Sequence, residues 1–313
     1  MQKDIDAGNV KPGQYFVLKF DFSKVRPNPN LTEANETLIK FLNFSLETFY
    51  RTYAAYLGRN FADLCQKIDS EEPNISLRRC AQSVKDAIKH DGRLAGIEGI
   101  YMLVDEYDAF PNHYLALQQT TREPKIAWDG TAVGSTFKSF WSAVKALCSD
   151  GLIQRIFITG ISTLSLSNVG SAFNILSNVS FNAALSDLCG LTDSDVESAL
   201  KNIDMDPVER NSSNFEMMLY FNGYHFCNTK RATSVLCTET CLAYFHRLIR
   251  KGVPDLEDPP NSEISEDFLR IFASSAPAIA DFEKASKCGM DGVLVPIEYK
   301  NFKAQLTLRD LVC

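Results

Sequence analysis

Residues 100–108, with the sequence IYMLVDEYD, decide the fold class of this chain. The apolar run at 100–104 is continuous, which is typical of a strand buried on both faces of a sheet. Two consecutive carboxylates, Asp105 and Glu106, end this run. In an open α/β sheet a ligand lies beyond the carboxyl ends of the strands. The stretch therefore predicts a central strand with a candidate site at its end.

Further strand and helix patterns lie on both sides of this stretch. Apolar runs rich in aromatic and branched residues predict strands at 15–22 and 152–158. Amphipathic spacing predicts helices at 32–57, 77–90, 137–148, 194–203 and 233–250. Strands that alternate with helices are typical of a mostly parallel sheet, here with helices expected on both faces. The sequence therefore predicts an α/β fold.

Composition restricts the classes of partner and compartment. The chain of 313 residues has 32 Lys and Arg against 39 Asp and Glu, a net charge of -7, which does not indicate a nucleic-acid surface. No apolar run approaches the ~20 residues that span a bilayer, and the N-terminus lacks the apolar core of a secretory signal. Nine scattered cysteines, an odd number, are typical of reduced thiols. We expect an intracellular protein, cytoplasmic or nuclear, that is not secreted and does not enter a membrane.

The carboxylates at the end of the central strand are the candidate metal-binding and catalytic residues. An apolar strand followed by Asp-Glu is the Walker B pattern, in which the Asp holds Mg²⁺, usually through water. Asp105 would hold the metal with support from Asp108, and Glu106, pointing to the other side of the strand, would orient and deprotonate a water. The alternative is a buried strand whose charged end is only solvated.

A second strand ends in a hydroxyl. The run at 156–158 is followed directly by Thr159. At a neighbouring strand tip, Thr159 could donate a hydrogen bond to the attacking water or to the terminal phosphate. The alternative is a threonine that caps the following loop, which is as common for a single Thr.

Together these pieces resemble the AAA-ATPase-like family of fungal and bacterial proteins. The resemblance rests on five segments in order: DFS at 21–23, DEYD at 105–108, FITGIS at 157–162, NVS at 178–180 with CGLT at 189–192, and YFNGYHF at 220–226. It implies a STAND-type P-loop fold with a core at 1–190 and a helical or winged-helix lid region at 191–313. It also implies ATP and Mg²⁺ as ligands, Asp105 as the metal partner, Glu106 as the catalytic base and Thr159 as a sensor.

The phosphate-binding loop of such a fold is absent from this sequence. That loop has the form Gly-x-x-x-x-Gly-Lys-Ser/Thr, and none of the 16 glycines is followed by Lys. The resemblance places the loop upstream of the strand that ends at Asp21, so we expect a chain truncated before its Walker B half. ATP binding and hydrolysis would then be impaired, because positioning dominates phosphoryl-transfer catalysis.

A missing strand would also change the sheet. The strand leading into the loop would lie next to the strand that ends at Thr159, and its loss would leave an unpaired edge. Such an edge is open to a protein partner or to self-association. The alternative function is therefore a pseudo-ATPase, a module that keeps the fold for protein contacts without catalysis.

Two weaker patterns point elsewhere. Asp291, Glu298 and Lys300 resemble the carboxylate-carboxylate-lysine arrangement of Mg²⁺-dependent nucleases, although a plain strand with a solvated end explains them as well. Arg78 and Arg79, near a predicted helix start, could serve as an arginine finger or could simply be solvated.

Overall fold

The computed structural model describes most of the first half of the chain and parts of the second. The described residues are 5–8, 12–25, 28, 30–111, 131–160, 176–177, 179, 182–203, 213, 217, 234–251, 297–299 and 304–306. The chain divides into two compact units. The first comprises Met1–Ile175, Ser265–Met290 and Ile297–Leu306, and the second Leu176–Ile264, Asp291–Pro296 and Thr307–Cys313. The predicted division at residue 190 stays a prediction.

Strands and helices alternate along the first unit, as the α/β prediction requires. In chain order they are β1 (Tyr15–Asp21), α1 (Leu31–Tyr53), α2 (Phe61–Cys65), α3 (Pro73–His90), β2 (Gly99–Asp105), α4 (Ala132–Ser149) and β3 (Ile153–Ile158). The second unit contributes α5 (Asp193–Asn202) and α6 (Thr238–Lys251). A short antiparallel pair follows, β4 (Ile297–Tyr299) and β5 (Ala304–Leu306). The α/β fold class is confirmed.

Two helices begin earlier in the chain than their apolar spacing predicts. Pro73 opens α3, since a proline lacks only an N–H that the first turn leaves unpaired. Ser76, which directly precedes the predicted helix at 77–90, is buried inside α3, where its hydroxyl accepts from the Asp69 N–H at 2.8 Å. Thr131 caps α4 by accepting from the Gly134 N–H at 3.0 Å. A proline therefore opens α3, and a side-chain cap opens α4.

The sheet consists of three parallel strands in the order β1-β2-β3. In the register, Asp21 lies opposite Asp105, and Val104 lies opposite Ile158. A bulge between Ile100 and Tyr101 shifts the pairing of β2 with β3. Because parallel strands share one direction, all three carboxyl ends meet at one edge of the sheet. The predicted site residues are thus brought to the same edge.

One face of the sheet is packed against helices. This covered face consists of Phe16, Leu18, Phe20, Ile100, Met102 and Val104, each exposed by 3% or less. Phe16 contacts the Phe49 ring of α1 at 6.3 Å between ring centroids, and Phe20 contacts Phe140 of α4 at 5.2 Å. Burial of such large apolar side chains is the main favourable term in folding. The covered face is therefore the core of the first unit.

The other face carries the alternate side chains of the same strands. This open face consists of Val17, Lys19, Tyr101, Leu103, Arg155 and Phe157. Val17 is 40% and Phe157 43% exposed. The helices α1, α3 and α4 contact one another, which places them on one side of the sheet. None of these three covers the open face, so helices on that face stay a prediction.

The two outer strands differ in what lies along their free edges. On β1 the Val17 N–H donates to the Tyr53 hydroxyl of α1 at 3.1 Å, so a helix side chain satisfies one edge amide. Within the described part of the chain, β3 pairs with β2 alone. Open sheet edges can template pairing with another chain. Partnering or self-association through this edge stays a prediction.

The second unit has a small core of its own. Its buried residues are Val196, Leu200, Met217, Leu236, Cys241, Tyr244, Phe245 and Leu248. A bridge between Leu191 and Leu236 joins the segments before α5 and α6. Thr192 and Asp195 form a reciprocal capping box at the start of α5. The helical character expected after residue 190 is present here, whereas the lid role is a prediction.

Each unit also encloses a cysteine. Cys80 of α3 and Cys241 of α6 are both fully buried. Burial raises the pKa of each thiol to about 12. Neither cysteine forms a disulfide. In the parts of the chain that the structure describes, no helix is both long enough and apolar enough to cross a membrane.

Candidate functional site

The candidate site lies at the carboxyl ends of the three parallel strands. Asp21 ends β1, Asp105 ends β2, and Thr159 follows the last residue of β3. Asp21 and Asp105 are partners in the register, which places them at the same level of the sheet. The structure therefore brings two of the predicted site residues, Asp105 and Thr159, next to each other and adds Asp21 beside them.

Thr159 contacts β2 through both its side chain and its backbone. Its hydroxyl donates to the Asp105 Oδ1 at 2.5 Å. Its N–H donates to the Val104 carbonyl at 2.8 Å, and its carbonyl accepts from the Tyr107 N–H at 3.2 Å. Three hydrogen bonds thus fix the tip of β3 against the end of β2. The hydroxyl orients the Asp105 carboxylate, as a short hydrogen bond to a charged acceptor does.

Glu106 leaves the strand in an unusual backbone conformation. Its φ of 48° is the one positive value at a non-glycine residue in the described part of the chain. For an L-residue this left-handed region is strained and persists only where neighbouring contacts hold it. The Ala109 N–H donates to the Glu106 carbonyl at 3.0 Å and closes a turn. The direction of the Glu106 side chain is therefore set by this turn, and not by the strand alternation from which it was predicted.

The charges around Glu106 favour its protonated form. Burial raises the pKa of Glu106 above its ordinary value, and the neighbouring charges of Asp105, Asp21 and Asp108 raise it further. A carboxylate with a raised pKa is a better proton acceptor, which is the property required of a general base. The electrostatics of the strand ends are therefore compatible with the predicted role.

Asp21 differs from Glu106 because it has local partners. The Ser23 hydroxyl donates to its Oδ1 at 2.6 Å, and the Lys24 ammonium lies 3.0 Å from its Oδ2. The hydrogen bond from Ser23, followed by contributions from Lys24, lowers the pKa of Asp21. Asp21 thus stays ionised and adds a fixed negative charge beside Asp105.

Asp108 lies behind the turn and not at its surface. Its side chain is 1% exposed, whereas Asp105 and Glu106 are exposed. A Cβ atom added to Gly160 would lie 2.5 Å from the Asp108 Oδ1. Asp108 is therefore packed directly against the residue that follows Thr159, and its predicted metal role stays a prediction.

The strand-end carboxylates offer oxygen ligands of the kind that a magnesium ion binds. Among the described residues, no group of three or more His, Cys, Asp or Glu side chains is arranged to hold a metal on its own. Mg²⁺ rarely needs such a cage, since it keeps several waters and binds one or two carboxylates together with substrate phosphates. The exposed carboxylate of Asp105 fits this mode of binding.

Two residues at this edge were missed as site candidates. Asp21 ends an apolar run in the same way as Asp105, and the signal was present in the sequence once β1 and β2 are paired. Gly160 follows Thr159 directly, but only the three-dimensional contact with Asp108 reveals its importance. Asp21 could be found by examining the polar residue at the end of every predicted strand. Gly160 could not be found from the sequence.

Other predictions fall outside this site. Asp291 and Lys300 lie outside the described residues, and Glu298 lies in β4, of whose side chains nothing is described. The YFNGYHF segment at 220–226 also lies outside them. Arg79 lies 3.8 Å from Asp69 in an ion pair and donates to the Lys67 carbonyl at 3.3 Å. The arginine-finger role of Arg78 and Arg79 stays a prediction.

Comparison with known proteins covers this part of the chain. The family described as Predicted AAA-ATPase matches residues 3–170, which include all three parallel strands and the residues at their ends. The chain belongs to this AAA-ATPase-like family. The family assignment is thereby confirmed.

One protein similar to this AAA-ATPase-like chain comes from a bacterium. It is described as an uncharacterized protein in the vnfD 5' region of Azotobacter chroococcum mcd 1, and it is 29% identical over 136 residues. The alignment covers 42% of this chain and 22% of the relative, so the chain matches less than a quarter of that protein's length. No solved structure matches.

Proposed function

We propose that the strand-end residues form the metal-binding and water-activating half of an ATP site, and that Mg²⁺-ATP binding there drives conformational switching. The observation that carries this proposal is the short hydrogen bond from Thr159 to Asp105, at the ends of adjacent parallel strands and beside Glu106. Ligands of parallel α/β sheets bind at such an edge. The family assignment supports the same reading at the level of the fold.

Each residue has a distinct part in this proposal. Asp105, oriented by the Thr159 hydroxyl, holds the metal through its exposed carboxylate. Glu106 accepts a proton from the water that attacks the terminal phosphate, and its raised pKa suits this step. Bound Mg²⁺ would neutralise the charge that develops on the phosphate oxygens. Thr159 keeps Asp105 in place and senses the phosphate end of the site.

The strength of ATP binding depends on a phosphate-binding loop that these residues do not contain. The sequence has no Gly-Lys pair, and therefore no Walker A lysine. Backbone N–H groups and that lysine normally cradle the phosphates and position them. We propose that the 313-residue chain binds ATP weakly and hydrolyses it slowly, unless another segment or chain supplies these contacts.

The test is calorimetric titration of the chain with ATP in the presence of Mg²⁺. Binding should weaken at least tenfold in Asp105→Asn, whereas Glu106→Gln should keep binding and lose any hydrolysis. Glu36→Gln is the matched control, because Glu36 is an exposed glutamate in an ion pair with Lys40 on α1. A folded protein that shows no binding, or binding that Asp105→Asn leaves unchanged, would contradict the proposal.

A second candidate function is the non-catalytic interaction module. The observation that favours it is the open face, where Val17 and Phe157 remain 40% and 43% exposed. Sedimentation of the purified chain over a hundredfold range of concentration would reveal self-association through this region. If the sheet is the interface, Phe157→Lys should shift the chain towards monomer, because a charge on an edge strand opposes pairing. Glu36→Gln again serves as the control.

A further inference from the structure

Gly160 occupies a position where no side chain has room. A Cβ atom there would lie 2.5 Å from the Asp108 Oδ1 and 2.5 Å from both Cδ1 and Cε1 of the Tyr107 ring, whereas real Cβ contacts are essentially never below 3.0 Å. Gly160 is not among the glycines with a positive φ, so its φ does not require glycine. Space, and not backbone freedom, is what makes this position depend on glycine.

The contact between Gly160 and Tyr107 completes a set of interactions on both sides of Glu106. On one side, Asp105 is fixed by the Thr159 hydroxyl at 2.5 Å. On the other side, the Tyr107 N–H donates to the Thr159 carbonyl at 3.2 Å, and the Tyr107 ring lies against Gly160. Glu106 is the single residue between these two attachments. Its left-handed backbone, with a φ of 48°, is therefore held from both sides by the tip of β3.

We propose that Gly160 is a positioning residue for Glu106. The missing side chain lets the Tyr107 ring and the Asp108 carboxylate pack onto the tip of β3, and this packing imposes the left-handed turn that aims Glu106. The structural part of the inference stands on the contacts alone. Its catalytic consequence rests on the proposed ATPase function, and the two parts are tested separately.

The structural test measures whether position 160 controls the backbone of position 106. Glycine tolerates a left-handed conformation without strain, so Glu106→Gly should raise the thermal midpoint by roughly 2 °C over Glu106→Gln, which removes the same charge but keeps a side chain. In a Gly160→Ala background this difference should disappear, because the turn has been displaced. An equal difference in both backgrounds would overturn the proposal.

A matched control variant and an alternative variant accompany this test. Gly96→Ala makes the same change at a glycine with nothing within 4 Å of the added Cβ. It should leave the difference in thermal midpoint between Glu106→Gly and Glu106→Gln unchanged. If Gly160→Ala does not fold, Tyr107→Leu removes the same contact from the other side without crowding. It should likewise abolish the difference, and its failure to do so would overturn the proposal.

The catalytic test uses hydrolysis by the chain under conditions where the parent protein is active. Gly160→Ala should lower kcat at least tenfold while the KM for Mg²⁺-ATP changes less than twofold, and Gly96→Ala should change neither. A change in KM alone would overturn the positioning role. If the parent chain hydrolyses no ATP, the proposed function fails, whereas the thermal test still decides whether Gly160 controls Glu106.

Discussion

The covered face and the open face belong to the same sheet, yet they differ in how far their side chains are exposed. On the covered face, Leu18 and Phe20 are fully buried, and α1 and α4 lie over them. On the open face, Val17 and Phe157 keep 40% and 43% of their surface. The difference shows that, among the described elements, apolar burial is concentrated on one face of this sheet.

The largest expected effect compares one substitution on the two sides of the sheet. Phe140→Ala removes a fully buried ring that contacts Phe20, and it should reduce the free energy of unfolding by about 3–5 kcal/mol. Phe157→Ala, on the open face, should reduce it by less than about 1 kcal/mol. Urea unfolding followed by circular dichroism measures both. Similar losses in the two variants would show that the open face is covered in solution.

A second pair of substitutions places a hydroxyl group on each face of the sheet. Val104→Thr puts a polar group into the covered face, where Val104 is 2% exposed, and should cost about 1–3 kcal/mol in unfolding free energy. Val17→Thr makes the same change on the open face, where water can solvate the hydroxyl, and should stay within about 0.5 kcal/mol of the parent. Midpoints of urea unfolding at constant slope give the comparison. A cost at Val17 as large as that at Val104 would contradict it.

A smaller effect on stability is expected at the outer edge of β1. Tyr53→Phe removes the hydroxyl that accepts from the Val17 N–H, and should reduce the free energy of unfolding by about 1 kcal/mol or less. The Val17 amide should then exchange its hydrogen faster. Tyr56→Phe is the control, since the Tyr56 ring also contacts Phe16 and is half exposed. Hydrogen exchange at Val17 that is equal in both variants would rule out protection by Tyr53.

The smallest effect concerns the strand ends and depends on pH. The raised pKa of Glu106 means that ionisation is harder in the folded state than in the unfolded state. This penalty is absent below the ordinary pKa of 4.5, grows as pH rises from there to the folded-state pKa, and stays constant above it. Glu106→Gln should therefore stabilise the protein at pH 7 more than at pH 4, both measured without Mg²⁺. A benefit that is equal at the two pH values would contradict the raised pKa.

The sequence predicted the elements whose information is local. The apolar runs at 15–22 and 152–158 predicted strands, and the structure has β1 (Tyr15–Asp21) and β3 (Ile153–Ile158) there. The strand ends at Asp105 and Thr159 were also predicted as neighbours, because parallel strands bring their carboxyl ends together. These features depend only on residue type and spacing.

Features that depend on distant contacts could not be predicted in this way. The run at 100–104 indicates burial on both faces, but Tyr101 and Leu103 on the open face are only half-buried. Burial of a strand depends on what packs over it, and a single strand's sequence does not contain that information. The left-handed turn at Glu106 and the space-limited glycine at 160 likewise depend on how closely β2 and β3 approach.

The two enclosed cysteines allow the opening of each compact unit to be measured separately by thiol alkylation. With a pKa of about 12, the thiols of Cys80 and Cys241 are almost entirely protonated at pH 8, and burial keeps an alkylating reagent away from them. Each therefore reacts only when its own core opens. The exposed Cys189 should be modified at once and mark the start of the reaction. Peptide mass spectrometry over time would then report separate opening rates for Cys80 in the first unit and Cys241 in the second.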